Sequence, residues 1–209
     1  MKQHPDIFYR IQQELENLPG EAAHYEMYPK RGISSEELKN AVNYKTSAVL
    51  ALMYEDNGTH MILTQRHEYD GKHSGQVSFP GGKMEKEDES ILFTALRETQ
   101  EEIGVHPDDI EILGKLTDVY IPVSKFLVHP FIGYHTSIPD LKREEKEVKE
   151  IFTFNIEELL WEDTLQYRDI RSPEGMTFKN VPCFILYDKV VWGATALMLN
   201  EIKTLLKRF

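Results

Sequence analysis

Apolar residues recur along the chain in two spacings, one typical of helices and the other typical of strands. Residues 6–18 carry apolar side chains at helical spacing and end before a Pro-Gly pair, which predicts an amphipathic helix. After a connector, Ser34 and Glu37 have the spacing of a capping box and predict a short helix to about Val42. Two β-prone runs at 47–54 and 60–65 follow, and the Asn-Gly pair between them favours a hairpin turn.

The middle of the chain predicts a helix between Asp88 and Gly104. Asp88 precedes an apolar run, so its carboxylate is expected to accept hydrogen bonds from the first turn as an N-cap. Gly104 is suited to the left-handed conformation after the last turn, and Pro107 prevents the helix from continuing. At about 100° per residue, one face of this helix is apolar. The opposite face gathers the glutamates Glu98, Glu101 and Glu102.

These stacked glutamates have two interpretations. Like charges three or four residues apart repel, at a cost of about a few tenths of a kcal/mol for each pair. They could form a solvated helix face, which is the usual meaning of a glutamate cluster in an acidic protein. They could also hold a hard divalent cation, which takes carboxylate oxygens as ligands. Gly81 and Gly82 precede the helix and would let backbone approach a ligand closely, with a carbonyl free to face a cation.

The rest of the pattern predicts a mixed α/β domain. Strands are expected at 76–79, 110–117, 127–134 and 148–154, strand or loop at 166–171 and 177–187, and helices at 157–162 and 191–209. The charged run 142–150 reads as a solvated loop or helix turn.

Composition restricts the classes of function. The chain has 209 residues, of which 41% are apolar and 11% aromatic, enough for one substantial core. A formal net charge of -11 argues against non-specific nucleic-acid binding. Cys183 stands alone among apolar residues and is expected to be a buried thiol. The N-terminus lacks the apolar region of a signal peptide and no apolar run has membrane-spanning length, so we expect a cytoplasmic protein with no membrane partner.

We predict two regions: an N-terminal helical arm over residues 1–44 and a domain over residues 45–209. The arm could pack on the domain or on the second copy of a homodimer. Its sequence offers no catalytic residue.

The residues around the acidic helix resemble a known family motif. The run from Arg97 to Val105, preceded at a set distance by Gly82, closely resembles the Nudix box, in which a glycine and an acid precede R-E-apolar-x-E-E-x-G-apolar. Asp88 stands where the family usually has glutamate, and its gap to Arg97 is one residue longer than in the common pattern. Thr99 replaces an aliphatic residue. Asp88 or Glu89 could therefore fill the role of the first acid.

The segment just before the box resembles one branch of that family. Residues 63–85 are similar to the signature of coenzyme A pyrophosphatases, L-L-T-x-R-S-x3-R-x3-G-x-V-x-F-P-G-G-x-x-D. The chain departs from it at His67 in place of serine, Gly71 in place of arginine, with Lys72 beside it, and Glu85 in place of aspartate. The runs 120–133 and 192–196 also resemble this branch.

The resemblance, which covers roughly residues 45–206, implies an α/β/α sandwich on a mixed sheet and a site that binds Mg²⁺ or Mn²⁺. The implied metal ligands are Glu98, Glu101, Glu102 and Gly82. Arg97 is expected to orient a carboxylate through a bidentate pair. Glu147 lies where Nudix proteins often have a further metal-reaching glutamate, with Glu144, Glu145 and Glu150 as local competitors. The implied substrate contacts are Arg66, Lys72, Gly81, Gly82 and Lys83.

These residues support three hypotheses for function. The first is hydrolysis of coenzyme A, or a derivative, to 4′-phosphopantetheine and adenosine 3′,5′-bisphosphate. In it, a metal would activate water and stabilise the departing phosphate, and Glu101, Glu102 or Glu147 would be the general base. The second is hydrolysis of another nucleoside diphosphate derivative, such as ADP-ribose or a dinucleotide. The third is a non-catalytic module that senses a ligand, although every acid of the R-E-x-x-E-E core is present.

Overall fold

The computed structural model describes residues 6–27, 34–67, 75–171, 175 and 177–209. Its helices are α1 (Asp6–Glu14), α2 (Glu21–Met27), α3 (Ser34–Lys39), α4 (Ile91–Ile103) and α5 (Ala194–Leu206). Its strands are β1 (Lys45–Glu55), β2 (Thr59–Arg66), β3 (Val77–Ser78), β4 (Gly81–Lys83), β5 (Ile110–Lys115), β6 (Val119–Ile121), β7 (Phe126–His135), β8 (Val148–Asn155), β9 (Leu165–Arg171), β10 (Thr177–Leu186) and β11 (Lys189–Val191). Short 3-10 turns connect several of these elements.

A large mixed sheet forms the centre of the fold. Its strands follow the order β3-β2-β1-β7-β5, with β4 beside β1, β6 beside β7 and β8 beside β2. The pairing of β1 with β7 is parallel, whereas β1 with β2, joined by the predicted hairpin, is antiparallel. A smaller antiparallel sheet has the order β11-β10-β9.

Helices cover both faces of the large sheet, because alternate residues of a strand point to opposite sides. On β1, Leu50 and Leu52 belong to a core cluster shared with α4. Ala51 and Met53, the intervening positions, belong to the other cluster, which includes residues of α1, α2 and α5. The predicted mixed α/β fold with an α/β/α arrangement is therefore confirmed.

The N-terminal helices join the core of the sheet. Phe8 and Ile11 of α1 are buried in the same cluster as α5, and the ring centroids of Phe8 and Tyr134 lie 4.0 Å apart. The Asn200 side chain donates a hydrogen bond of 2.8 Å to the Ala23 carbonyl of α2. These contacts seat the helices on the sheet, while the proposed boundary between arm and domain at residues 44 and 45 stays a prediction.

Three predictions about local structure were wrong. The segment after Pro19-Gly20, predicted to be a connector, contains α2. The buried face of α2 contacts α5, which lies far away in the sequence. Helix α4 begins at Ile91 with Ser90 as its N-cap, because the Asp88 carboxylate binds other partners. The last helix begins at Ala194 rather than at 191, because Val191 pairs with Phe184 in the smaller sheet.

Two other expectations were met. Gly104 ends α4 in the left-handed conformation, with φ of 76°, and its N–H donates to the carbonyl of Gln100. Cys183 is fully buried.

Among the residues described, no helix has both the length and the apolar character needed to cross a membrane.

Candidate active site

Asp88 and Arg97 fix the acidic loop onto α4. Arg97 donates from Nε to Asp88 Oδ1 at 2.8 Å and from Nη2 to Asp88 Oδ2 at 3.0 Å. Asp88 also accepts from the Glu85 N–H and from the Thr94 hydroxyl, both at 2.9 Å. The bond from Arg97 is the largest of the causes that hold the pKa of Asp88 well below its usual range. Asp88 is buried and Glu89 is exposed, so Asp88 is the acid that pairs with Arg97.

Arg97 also contacts two of the box glutamates. Its Nη1 donates to Glu98 Oε1 at 3.0 Å and to Glu101 Oε2 at 2.9 Å. Its Nη2 donates to the Lys83 carbonyl at 3.3 Å. Arg97 and Asp88 thus form the expected bidentate pair. The same guanidinium links β4, through the Lys83 carbonyl, to the acidic face of α4.

Glu98 lies directly against the backbone of Gly82. A Cβ added at Gly82 would lie 2.3 Å from the Glu98 carboxyl carbon, which is closer than any side chain allows. The Glu98 side chain is only 13% exposed, and burial raises its pKa, with the charge of Arg97 acting in the opposite direction. Glycine at position 82 therefore makes the space for this carboxylate.

Glu102 is deeply buried, with 3% of its surface exposed. One oxygen accepts from the Gly81 N–H at 3.2 Å, and Nη1 of Arg66 lies 3.7 Å from the other. Gly81 has φ of 154°, and a Cβ there would lie 2.3 Å from the Ala48 carbonyl oxygen of β1. Burial raises the pKa of Glu102 to about 8 despite the Gly81 N–H and Arg66, which lower it.

Glu101 and Glu147 lie at the rim of this pair. The Glu101 side chain is 57% exposed and is engaged by Arg97. Glu147 is exposed, and its charge contributes to the raised pKa of both Glu98 and Glu102. Glu147 thus acts electrostatically on Glu98 and Glu102, although it lies some 45 residues further along the chain.

The cationic candidates fall in different places. Arg66 faces Glu102 from the end of β2. The Lys83 side chain is exposed, and only its carbonyl is linked to the acidic helix through Arg97. Lys72 lies outside the described residues.

Residues 44–172 match the family model of the NUDIX domain. The chain belongs to the Nudix family. It is 34% identical over 178 residues to Nudix hydrolase 3 of Caenorhabditis elegans, covering 78% of this chain and 74% of that protein. It is also 34% identical over 142 residues to the Nudix hydrolase NudL of Pectobacterium atrosepticum, covering 68% of this chain and 72% of that protein.

Solved Nudix structures share its fold. The Nudix hydrolase RenU of M. Smegmatis superposes with a TM-score of 0.55 at 10% sequence identity, covering 82% of this chain and 92% of that one. At this level of identity the likeness concerns the fold alone. Together with its relatives, the family match makes this protein a Nudix hydrolase.

Nudix hydrolases generally use divalent metal ions, and the chemistry of this site fits such an ion. Glu98 and Glu102 present carboxylate oxygens, the donors that hard cations prefer, and Gly82 leaves room beside them. Within the described residues, no three acidic, histidine or cysteine side chains are already arranged to hold an ion together. Arg97 accounts for part of this, because its Nη1 binds one oxygen of Glu98 and one of Glu101.

The hydrogen-bonding role of Thr94 on the acidic helix was not predicted from the sequence. Thr94 falls on the glutamate side by periodicity, yet its side chain is completely buried and donates to Asp88. Only the fold of the loop before α4, which brings Asp88 over the first turn, reveals this contact.

Proposed function

We propose that this Nudix hydrolase cleaves the pyrophosphate bond of coenzyme A, or a derivative, to give 4′-phosphopantetheine and adenosine 3′,5′-bisphosphate. The chemical part of the proposal rests on two carboxylates beside the Gly81-Gly82 backbone, the buried Glu102 and the largely buried Glu98. A cation is the natural partner for such a pair, because two desolvated carboxylates one turn apart repel each other and Glu102 has few donors of its own.

In this proposal Glu98 and Glu102 hold Mg²⁺ or Mn²⁺, with Glu101 and the Gly82 carbonyl as further ligands. The bound ion would neutralise pyrophosphate oxygens, activate a water and stabilise the departing phosphate. Arg97 positions Glu98 and Glu101 through its fixed pair with Asp88, and so acts without touching the substrate.

Glu147 is our choice among the candidate general bases. Glu102 is bonded to the Gly81 N–H and Glu101 to Arg97, whereas Glu147 is exposed and its charge acts on both Glu98 and Glu102. An exposed carboxylate at the rim can accept a proton from the attacking water and pass it to solvent.

Arg66 is expected to contact the phosphate that is cleaved. Its guanidinium lies 3.7 Å from Glu102, at the reacting end of the site, and its planar fork matches a phosphate well. Arg66 would then not be available to recognise the distant 3′-phosphate of coenzyme A. That recognition would depend on other cations, of which Lys72 is the sequence candidate.

The assignment of coenzyme A rests on the similarity of residues 63–85 to the signature of that branch. A second candidate function is hydrolysis of another nucleoside diphosphate derivative such as ADP-ribose. It is favoured by Gly71, which stands where the signature has arginine, and by the position of Arg66 at the reacting end. Both substrates share the pyrophosphate that the acidic pair would engage.

The test is kcat/KM for coenzyme A, dephospho-coenzyme A and ADP-ribose on one preparation, with Mg²⁺ and with Mn²⁺. A single charge-assisted contact to the 3′-phosphate would give about tenfold to a hundredfold preference for coenzyme A over its dephospho form. Because Gly71 replaces arginine, we expect turnover of coenzyme A with a preference below roughly tenfold. Faster turnover of ADP-ribose, by about tenfold or more, would overturn the coenzyme A assignment in favour of the second candidate.

A further inference from the structure

The segment Arg143–Glu147 carries the proposed proton acceptor and leads directly into β8. Every residue of this segment is exposed. Hydrogen bonds rather than core packing must therefore fix the path of the segment and the position of Glu147.

Backbone bonds tie the start of the segment to the last turn of α4. The Lys142 N–H donates to the Ile103 carbonyl at 2.9 Å, and the Glu144 N–H donates to the Glu102 carbonyl at 3.0 Å. Arg143 folds back and donates to the carbonyls of Val148, at 3.3 Å, and Lys149. Both ends of the segment are thereby held.

His67, the residue after β2, holds the middle of the segment. Its Nε2 lies 2.9 Å from the Glu145 carbonyl oxygen. A carbonyl only accepts, so Nε2 must carry a proton, which both one neutral tautomer and the imidazolium provide. The preceding residue, Arg66, faces Glu102. Two consecutive residues at the end of β2 therefore contact Glu102 and the segment of Glu147.

We propose that His67 is a positioning residue, which keeps Glu147 beside Glu98 and Glu102 by holding the Glu145 carbonyl. This inference rests on the proposed function of the same site. The coenzyme A signature has serine at this position, and a serine hydroxyl lies much closer to the backbone than an imidazole Nε2. The departure from the signature therefore supplies a longer hydrogen-bond donor.

A double-mutant cycle tests the inference. His67→Ala removes one neutral hydrogen bond and should lower kcat for coenzyme A by roughly threefold to tenfold, with KM nearly unchanged. His67→Gln should restore kcat, because its side-chain N–H reaches about as far as Nε2. In a Glu147→Gln background, His67→Ala should have no further effect, since the two residues act as a unit. An equal loss in that background, or a loss in His67→Gln as large as in His67→Ala, would overturn the proposal.

The chain offers a matched control at the other end of β2. His60 lies near the opposite end of β2, with Nε2 3.1 Å from the Asp56 carbonyl. His60→Ala removes a similar bond far from the acidic pair and should leave kcat within about twofold of wild type.

Amide hydrogen exchange gives a readout that does not need turnover. The N–H groups of Glu147 and Val148 both donate to the Glu144 carbonyl, at 3.3 and 3.0 Å. In His67→Ala these two amides should exchange roughly threefold to tenfold faster than in wild type and His60→Ala. Unchanged exchange would refute the positioning role. Faster exchange in a protein that does not cleave coenzyme A would support that role and would reject the proposed substrate.

Discussion

Glu102 on α4 and Glu201 on α5 are both buried glutamates, but their surroundings differ. Glu201 accepts hydrogen bonds from the Thr117 hydroxyl at 2.7 Å, from the N–H groups of Thr117 and Gly20, both at 3.2 Å, and from His24 at 3.0 Å. Glu102 accepts from the Gly81 N–H, and Arg66 lies 3.7 Å away. The two carboxylates are therefore similarly buried, but Glu201 has many more hydrogen-bond donors around it than Glu102.

The pKa values follow this difference. Burial acts to raise the pKa of Glu201, but the hydrogen bonds from His24 and Thr117 together outweigh it, so the pKa is lowered. Burial dominates at Glu102 and raises its pKa to about 8. A buried carboxylate that the protein satisfies by itself serves the fold, joining α2, α5 and the segment before β6. A buried carboxylate with few donors, such as Glu102, is suited to an external cation.

The sharpest contrast between the two acids is in turnover. Glu102→Gln should abolish it, with a fall in kcat of at least roughly a thousandfold, or about 4 kcal/mol, because the site loses one of its two principal carboxylate ligands. Glu201→Gln should leave kcat per folded molecule near that of wild type. Steady-state kinetics on both variants, with folding checked by circular dichroism, makes the measurement. Comparable losses in both would remove the distinction.

For the free energy of unfolding, Glu201→Gln should have the larger effect of the two substitutions. Glu201→Gln replaces one acceptor oxygen of a buried hydrogen-bond network with an N–H group and leaves donors poorly satisfied, so the free energy of unfolding should fall by roughly 3 kcal/mol. Glu102→Gln should not destabilise the metal-free protein, because it replaces an uncompensated acid. Urea denaturation in the presence of EDTA compares the two variants with wild type. A Glu201→Gln protein as stable as wild type would show that the network is dispensable.

The dependence of stability on pH gives a smaller effect with a definite sign. Since the pKa of Glu102 is raised to about 8, its contribution to the free energy of unfolding is full below the ordinary value of about 4.3 and is lost as pH rises through about 8. The Tm of metal-free wild type should therefore fall relative to Glu102→Gln, by a few degrees, between about pH 5 and about pH 9. Glu201 has a lowered pKa, so its contribution is lost as pH falls in the acid range. A Tm difference between wild type and Glu102→Gln that does not change with pH would contradict the raised pKa.

Features with local signals were predictable from the sequence. The end of α4 at Gly104, the β1-β2 hairpin and the alternation of β1 each depend on residues close together in the chain. The mixed α/β fold followed from these patterns and from the resemblance to the Nudix box.

Features that depend on distant contacts were not predictable. The pattern placed Asp88 as the N-cap, but its partner Arg97 lies two turns further along the helix. The pattern treated Glu98, Glu101 and Glu102 as one face, whereas packing against Gly81 and Gly82 buries two of them and leaves Glu101 at the rim. Helix α2 depends on contacts with α5, which no local signal records.

The central claim is that the buried pair on α4 holds a divalent cation, and thermal unfolding with and without Mn²⁺ tests it most directly. A cation that binds only the folded state at about a hundred times its Kd adds about 2.7 kcal/mol to the free energy of unfolding. Wild type and Glu201→Gln should therefore both show a rise in Tm on adding Mn²⁺ to the EDTA-treated protein, and Glu102→Gln should show little or none. An equal rise in Glu102→Gln and wild type, or no rise in wild type, would contradict the account.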